Sequence, residues 1–274
     1  MNVWLTGASA VALATLFACA ARSESLDDFA ARASCLIAPN NVYKLAMPTQ
    51  GAIAEVAVHR ADRVEKGQIV AELESGVEKS QLEAARARAS TDVFVRMKQA
   101  VYQATQAKVD RQLKLRADKI SSQQSLEEAQ SAAAVAKADV AQAELDRTLA
   151  GFDLQRLEAT LQRRILRAPA KGVVTSVDLH AGEFADPANS IITLTETDPL
   201  KVDVYLPASA YSLVQLGRPA TISPLDAVSG ERTGEVITKD PQIDASSGLF
   251  LVEIKLPNPD GAIPAGIRCR VAFH

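Results

Sequence analysis

Glycine and proline are both absent between Gly76 and Gly151. These two residues disfavour helix interiors more strongly than any others, so their absence excludes the usual helix breakers from this stretch. The stretch is rich instead in alanine, glutamine, glutamate, lysine and arginine, which are good helix formers. The sequence therefore predicts a long helical element between the two glycines.

Aromatic residues are scarce at 4% of the chain, and the formal net charge is only −3. Both values argue against nucleic acid as a partner, because base stacking needs aromatic side chains and phosphates attract basic surfaces. No nucleophile elbow, phosphate loop or zinc-protease helix occurs. The histidines His59, His180 and His274 are too few and too scattered for a zinc site. We expect a non-enzymatic protein without a metal or cofactor.

Residues 1–21 are typical of an export signal. Ala8 to Ala21 is a small, apolar run, and its Ala18-Cys19-Ala20 step has the form that precedes cleavage. An uncleaved anchor is one alternative. A lipoprotein acylated at Cys19 is another, because the residues leading to this cysteine resemble a lipobox. All three interpretations place the mature chain outside the cytoplasm.

Two cysteines, Cys35 and Cys269, follow the export signal. An even pair in an oxidising compartment favours a disulfide. The alternative is two buried thiols that never meet, since free cysteine packs well in cores. The sequence alone leaves both interpretations open.

The second half of the helical stretch carries a heptad seam, in which apolar residues recur at alternating spacings of three and four. Serines at Ser121 and Ser122 can begin a new helix there. We therefore predict an antiparallel hairpin that turns near Asp118–Ser121. Its second seam contains Leu126, Ala129, Ala133, Ala136, Val140 and Ala143, and continues with Ala150, Leu154, Leu157 and Leu161.

The first half of the stretch carries a less regular seam, whose spacing drifts through a run of fours. Such a drift indicates a stutter that locally unwinds a supercoil. The predicted members of this seam are Leu82, Ala85, Ala89, Val93, Met97, Ala100, Ala104 and Ala107.

A short β pattern occurs on each side of the helical stretch, and the two copies resemble each other. Ala46–Ile53 aligns with Arg167–Val174, so that each copy contains a proline followed three residues later by a glycine. Neither copy, at about 30 residues, can bury a core alone. The repeat therefore predicts one β domain that is split by an inserted hairpin.

Beyond Leu200 the chain alternates apolar and polar residues, as in Val202, Val204 and Leu206 against Asp203 and Tyr205. This alternation is typical of antiparallel strands with one solvated face. We predict a β-barrel that runs to the end of the sequence.

The whole arrangement resembles the periplasmic adaptors of tripartite efflux pumps and type I secretion systems, the membrane fusion protein or HlyD family. Pro48–Val56 and Val64–Leu73 look like the first half of that family's split biotinyl/lipoyl-like domain, and Arg167–Val174 looks like the second half. Lys201–Pro207 and Asp244–Gly248 look like its barrel. In many members a glycine stands where this chain has alanine, immediately before Asp62.

The resemblance implies an elongated α+β fold, in which an antiparallel coiled-coil hairpin is inserted into a split lipoyl-like β domain and a β-barrel domain follows. The predicted segments are a signal peptide (1–21), a lead-in with the first barrel strand (22–42), lipoyl-like half-motif 1 (43–75), the α-helical hairpin (76–164), half-motif 2 (165–198) and the barrel (199–274).

The family also has a motif at the hairpin tip, Arg-x3-Leu-x6-Ser, in members that dock on a TolC-like duct. Arg111, Leu115 and Ser122 have this spacing. The resemblance implies that they contact the outer-membrane channel. The structural alternative is that Arg111 is a solvated helix residue and Ser122 only a cap.

For function, the resemblance implies a non-enzymatic adaptor that links an inner-membrane transporter, of RND or ABC type, to a TolC-like outer-membrane channel. It further implies a hexameric ring or trimer of dimers in the periplasm, associated with the inner membrane. The alternative from another class is a lipoyl/biotinyl-like carrier or ligand-binding module with a coiled-coil dimerisation arm. A carrier would present a modified lysine near the hairpin insertion, where Lys79 lies.

Overall fold

The computed structural model describes residues 25–225 and 230–274, so the predicted signal peptide 1–21 and the candidate lipidation site Cys19 lie outside the described residues. The helices are α1 (Leu26–Ala30), α2 (Gly76–Ser90), α3 (Val93–Ala117) and α4 (Gln123–Gln162), and a 3₁₀ helix covers Ala208–Leu213. The strands are β1 (Ser34–Leu45), β2 (Gly51–Val56), β3 (Arg63–Val64), β4 (Ile69–Leu73), β5 (Ile165–Arg167), β6 (Gly172–Val177), β7 (Phe184–Ala185), β8 (Ile192–Pro207), β9 (Pro219–Pro224), β10 (Arg232–Lys239), β11 (Leu249–Leu256) and β12 (Ile267–Phe273).

The chain divides into two compact units. One unit, Pro39–Asp198, contains both β half-motifs and helices α2 to α4. The other joins the described part of Met1–Ala38 to Pro199–His274. The predicted fold class is confirmed, with a helical hairpin inserted in a split β domain and a separate barrel.

The barrel is made of six strands in the order β1-β12-β9-β10-β11-β8, and β8 pairs with β1 to close it. The register places Val252 opposite Val204 and Ile254 opposite Val202, so the apolar faces of β11 and β8 coincide. All four of these valine and isoleucine side chains are fully buried. The alternation in the sequence thus separates the core face from the solvated face.

The segment before the first strand is more ordered than a simple lead-in. Ser25 and Asp28 form a capping box that begins α1, and Leu26 and Ala30 are buried in the barrel core. Because these two apolar residues are four apart, one turn of helix presents both to the core. The backbone N–H of Phe273 also donates to the Asp27 carboxylate, at 2.8 Å.

The two halves of the internal repeat complete one another. Strand β2 of the first half pairs with β7 of the second, and β6 of the second half pairs with β3 of the first. Their side chains form one core. This exchange explains why neither half is a domain by itself.

The repeated glycines, Gly51 and Gly172, lie where another part of the chain comes very close. A Cβ atom at Gly172 would lie 2.5 Å from the carbonyl oxygen of Thr195, and one at Gly51 would lie 2.7 Å from the Arg164 guanidinium. Ala61 and Gly182 stand at equivalent turns with φ of 75° and 87°. Ala61 therefore occupies a left-handed conformation that favours glycine, and its alanine side chain is strained there.

The two arms of the hairpin differ in continuity. The second arm, α4, is one helix of 40 residues, whereas a break at Thr91–Asp92 divides the first arm into α2 and α3. The predicted seam of α4 is confirmed, because its members Leu126, Ala129, Ala133, Ala136 and Leu157 are buried. The arms turn between Ala117 and Gln123, as predicted.

The predicted seam of the first arm is wrong beyond Ala89. Leu82 and Ala85 are buried as expected, but Val93 and Met97 are 53% and 51% exposed. The predicted members Ala100, Ala104 and Ala107 are exposed as well. The buried and half-buried positions of α3 are instead Val95, Lys98, Tyr102, Thr105, Val109 and Gln112, which follow their own spacing of three and four.

The physical reason is a shift at the break. Half-buried positions recur every three residues at Ala89, Asp92, Val95 and Lys98, which is a stammer and not the predicted stutter. Thr91 and Asp92 suit such a break because short polar side chains compete for backbone hydrogen bonds in helices. The new row has several polar members, so hydrophobicity alone did not reveal it.

Candidate docking site at the hairpin tip

The tip is a five-residue connection, Asp118–Ser122, closed by a Schellman motif. Lys119 adopts a left-handed conformation with φ of 59°, and its N–H donates to the Arg116 carbonyl at 2.9 Å. The N–H of Ile120 donates to the Leu115 carbonyl at 2.8 Å. These two bonds satisfy carbonyls at the end of α3 and give the turn a defined shape.

Arg111 and Leu115 lie four residues apart on α3, so they share one face of its last turns. Arg111 is exposed, and within residues 25–225 and 230–274 its guanidinium has no ion-pair or hydrogen-bond partner. Leu115 is 39% exposed. This face therefore offers a free planar donor beside an apolar side chain.

Ser122 is the N-cap of α4. Its Oγ accepts a hydrogen bond from the Ser125 N–H at 3.2 Å and lies 2.8 Å from the Ser125 hydroxyl. The residue is exposed. Ser122 therefore has a structural role in the helix start, and its hydroxyl also faces solvent at the same end of the hairpin as Arg111 and Leu115.

Ile120 was missed as a site residue by sequence reasoning. Its side chain is 73% exposed at the centre of the turn. An isoleucine between Lys119 and Ser121 is unusual for a solvated loop, and a Schellman motif often has apolar residues at the positions of Leu115 and Ile120. That pairing was the available signal. Ile120 extends the apolar part of the tip.

The tip is supported by a small core immediately behind it. Val109 of α3 packs with Leu126, Ala129 and Ala133 of α4, and all four are buried. The Ser121 hydroxyl also donates to the Gln112 side chain at 2.5 Å, which ties the turn to α3. The exposed tip residues are thus presented by a packed helical end, as binding loops on rigid elements commonly are.

The opposite end of the hairpin is fastened to the β domain by Arg164, which sequence reasoning did not single out. Its guanidinium donates to Glu78 at 2.5 Å and to the Gln50 carbonyl at 2.9 Å. The pKa of Glu78 lies below its ordinary value, chiefly because its own backbone N–H donates to the carboxylate and because Arg164 is bonded to it. This root clamp joins the start of α2 to the end of α4.

The remaining candidate residues are brought together only in part. His59 and His180 line one cavity of about 580 Å³ on equivalent turns of the β domain. In the part of the chain that the structure describes, no three His, Cys, Asp or Glu side chains gather in a metal-binding arrangement. Lys79 is exposed within α2, on a helix and not on a tight strand turn.

Cys35 and Cys269 meet on neighbouring strands of the barrel. Their sulfur atoms are joined in the structure, with 5.0 Å between the Cα atoms. Both side chains are buried in the barrel core. Of the two interpretations left open by the sequence, the structure adopts the disulfide.

Comparison of the sequence with family models finds no match. Among curated proteins, an uncharacterised protein of Haemophilus influenzae is 29% identical over 82% of this chain and 52% of its own length. A UPF0194 membrane protein of Acidithiobacillus ferridurans, encoded in the asrC 5′ region, is 32% identical over 65% of this chain and 64% of its own length. The chain thus spans about half to two thirds of the curated relatives it matches.

Solved structures share the architecture at lower identity. The crystal structure of MacA from Actinobacillus actinomycetemcomitans matches 88% of this chain and 76% of that chain with a TM-score of 0.73, at 19% identity. The membrane fusion protein Spr0693 from Streptococcus pneumoniae R6 matches 88% and 97% with a TM-score of 0.61, at 14% identity. The chain has the membrane fusion protein fold. The resemblance inferred from its motifs is therefore confirmed at the level of architecture.

In this membrane fusion protein fold, the hairpin, the split lipoyl-like domain and the barrel are all accounted for. Across residues 25–225 and 230–274, no helix combines the length and apolar character needed to cross a bilayer.

Proposed function

We propose that this chain is a periplasmic adaptor subunit, associated with the inner membrane, that links a transporter of RND or ABC type to a TolC-like outer-membrane channel for efflux or secretion. Its role is structural and non-enzymatic. The observation that carries this proposal is the exposed hairpin tip, held by its own small core and rooted in the β domain by Arg164.

The proposed contact with the channel is made by Arg111, Leu115 and Ser122, extended by Ile120. A guanidinium without a partner in the described chain is available to bind carbonyl or carboxylate oxygens in a fork. Leu115 and Ile120 supply apolar area, at 39% and 73% exposure. Ser122 supplies a hydroxyl that can make one further hydrogen bond beyond its two bonds to Ser125.

The proposal includes assembly of several copies, as a hexameric ring or trimer of dimers, because one hairpin presents only one narrow tip. The membrane fusion protein fold supports this, because adaptors with that fold work in oligomeric assemblies. The relative whose name calls it a membrane protein supports the proposed association with the inner membrane.

Photocrosslinking in cells tests the contact. A photoreactive amino acid at Leu115 should crosslink to an outer-membrane channel, identified by mass spectrometry. The same amino acid at Ala141, which is exposed in the middle of α4, is the matched control and should not label the channel. Crosslinks from Leu115 only to other copies of this chain would overturn the docking proposal. The carrier alternative would then be tested by searching Lys79 for a covalent modification.

A charge reversal tests the role of the guanidinium. We expect Arg111→Asp to abolish export while leaving the protein folded, because an exposed side chain contributes little to stability but a carboxylate repels the oxygens it should bind. Lys137→Asp reverses a charge at an exposed position on α4, away from the tip, and should retain export. Normal export by Arg111→Asp would contradict the assignment.

A further inference from the structure

A cavity of about 430 Å³ opens midway along the hairpin, beside the break at Thr91–Asp92. Phe94 and Val95 of α3 line it on one side, and Ala143 and Ala150 of α4 line it on the other. Its lining includes neither the tip residues nor the residues of the root clamp. The proposed adaptor function does not use it.

The cavity follows from the way the two arms pack. Between the cluster of Leu82, Ala85 and Leu157 and the cluster behind the tip, residues 86–108 include no buried side chain. The break shifts α3 so that its large apolar residues miss the seam, and Phe94 is 67% exposed. On α4 the only apolar residues of the lining are two alanines, Ala143 and Ala150, which are too small to fill the space.

Some of the charged side chains around the cavity have a partner and others do not. Lys98 and Asp139 bind each other at 2.8 Å, and Gln142 donates to Asp146 at 2.8 Å. Arg88 and Arg147 also line the cavity.

Neither of these two guanidiniums has an ion-pair or hydrogen-bond partner among the described residues. Lys98 compensates Asp139, but the Gln142 amide is uncharged, so Asp146 keeps its negative charge. The lining thus has three cations against two carboxylates, an excess of one positive charge. This excess, with two guanidinium donors still available beside apolar walls, favours a ligand that carries a negative group and an apolar body.

We propose that this cavity binds a small amphiphilic organic anion, with its carboxylate or sulfonate on Arg88 and Arg147 and its apolar body against Phe94, Val95 and Ala143. The volume is within the range of about 300 to 1,000 Å³ that small-molecule sites occupy. A largely apolar lining with a few polar groups is also typical of such sites. The anion selects the orientation, and the apolar walls provide most of the contact area.

The test uses the full chain and the fluorescent sulfonate 8-anilinonaphthalene-1-sulfonate, titrated to obtain a dissociation constant and stoichiometry. Reversing both charges, Arg88→Glu with Arg147→Glu, should weaken binding by about tenfold or more, because both anion donors become repulsive. The matched control, Lys108→Glu with Lys137→Glu, changes two exposed lysines on the same two arms and should bind as the unmodified protein does. Equal affinity of all three proteins would overturn the proposal.

Two further measurements separate this site from general dye binding. Ala143→Trp should fill the cavity and remove the saturable signal, whereas Ala141→Trp, an exposed position on the same helix, should leave it intact. The uncharged N-phenyl-1-naphthylamine should be insensitive to the charge reversal. Circular dichroism should show unchanged helix content in each variant. The dye fluorescence should persist when the protein concentration is raised. If it disappears while the molecular mass in solution increases, another copy of the chain fills the cavity, and the proposal is overturned.

Discussion

The barrel buries large side chains on its strands, whereas the hairpin is held together mainly by alanine. Phe250, Phe273 and Leu206 are among the fully buried residues of the barrel. In the hairpin, large apolar residues are often on the outside instead. Each buried alanine removes much less apolar area from water than a leucine or phenylalanine does. The buried residues of the hairpin are Leu82, Ala85, Val109, Leu126, Ala129, Ala133, Ala136 and Leu157, and its exposed ones include Phe94, Met97, Val101, Leu145, Leu149 and Phe152.

This difference indicates what each region is for. A barrel with a closed sheet and a dense core is a stable body with no free strand edges among its six strands. The hairpin has two small cores, one at the root and one behind the tip, and a thinly packed middle. Such an element is suited to presenting surfaces, and it depends on the clamp that roots it.

The largest expected difference between the barrel and the hairpin is in the stability lost when a buried leucine is replaced by alanine in each. Leu206→Ala in the barrel should cost about 4 to 5 kcal/mol, and Leu126→Ala in the hairpin about 2 to 3 kcal/mol. Both leucines are buried, at 0% and 4% exposure. The space that Leu126→Ala leaves can collapse or admit water more easily than the space that Leu206→Ala leaves, because only two helices surround Leu126.

Hydrogen exchange measured peptide by peptide gives the local opening free energy of each region separately. Leu149→Ala, at a position that is 54% exposed, is the control and should change stability by less than about 0.5 kcal/mol. Equal losses for the two buried leucines would mean that the thin hairpin core is as rigid as the barrel.

Reduction of the cysteine pair should affect the barrel next most strongly. Cys35 and Cys269 are 234 residues apart in sequence, so a disulfide between them strongly restricts the unfolded chain. We expect reduction to lower the free energy of unfolding of the barrel by about 3 kcal/mol, and to leave the local stability of the hairpin nearly unchanged. Denaturant unfolding with and without reductant measures the first effect, and hydrogen exchange measures the second.

The control for the reductant is the variant Cys35→Ala with Cys269→Ala, which should no longer respond to it. Alanine suits these buried positions, which are 4% and 5% exposed. Complete alkylation of both thiols in unreduced protein would show that no disulfide forms.

The smallest expected effect concerns the root clamp and pH. The pKa of Glu78 is lowered in the folded chain by its own backbone N–H and by Arg164. Folding is therefore favoured above the pKa of the unfolded carboxyl, about 4.3, and this contribution is lost as the pH falls through the lower folded value. Acid should therefore loosen the hairpin root.

Thermal unfolding of the helical signal, followed from neutral pH to about pH 3, measures this contribution. Glu78→Gln should flatten the pH dependence, while Glu83→Gln, at a glutamate that is 68% exposed, should not. If Glu78→Gln unfolds in acid as the unmodified protein does, the ionised Glu78 side chain does not cause the pH dependence of hairpin stability.

Much of the architecture was accessible from the sequence. The absence of glycine and proline predicted the long helical element, and Ser121 and Ser122 predicted the turn that makes it a hairpin. The repeat around Gly51 and Gly172 predicted the split domain, and the heptad of α4 predicted its buried face. These predictions succeeded because each depends on local periodicity, or on a residue type whose backbone properties are distinctive. The tip residues were also placed at the right end of the hairpin, although their docking role stays a prediction.

Other features were not accessible, for physical reasons. The face of α3 was predicted wrongly because Lys98, Tyr102 and Thr105 are polar yet half-buried, and hydrophobic periodicity does not register them. Arg164 looked like one more charged residue at a helix end. Its partners Glu78 and Gln50 are distant in sequence, so the clamp exists only once the hairpin folds back on its root.

The sequence by itself determined where most of the helices, strands and turns lie, because backbone propensity and side-chain period are properties of neighbouring residues. It did not reveal α1 or the break at Thr91–Asp92. The tertiary structure alone decided which half-motif strand pairs with which, that Cys35 lies beside Cys269, and that the break at Thr91–Asp92 leaves a cavity between Arg88 and Arg147. Each of these depends on contacts between distant segments. Such contacts are selected by how well two surfaces pack, and no local pattern in the chain records that fit.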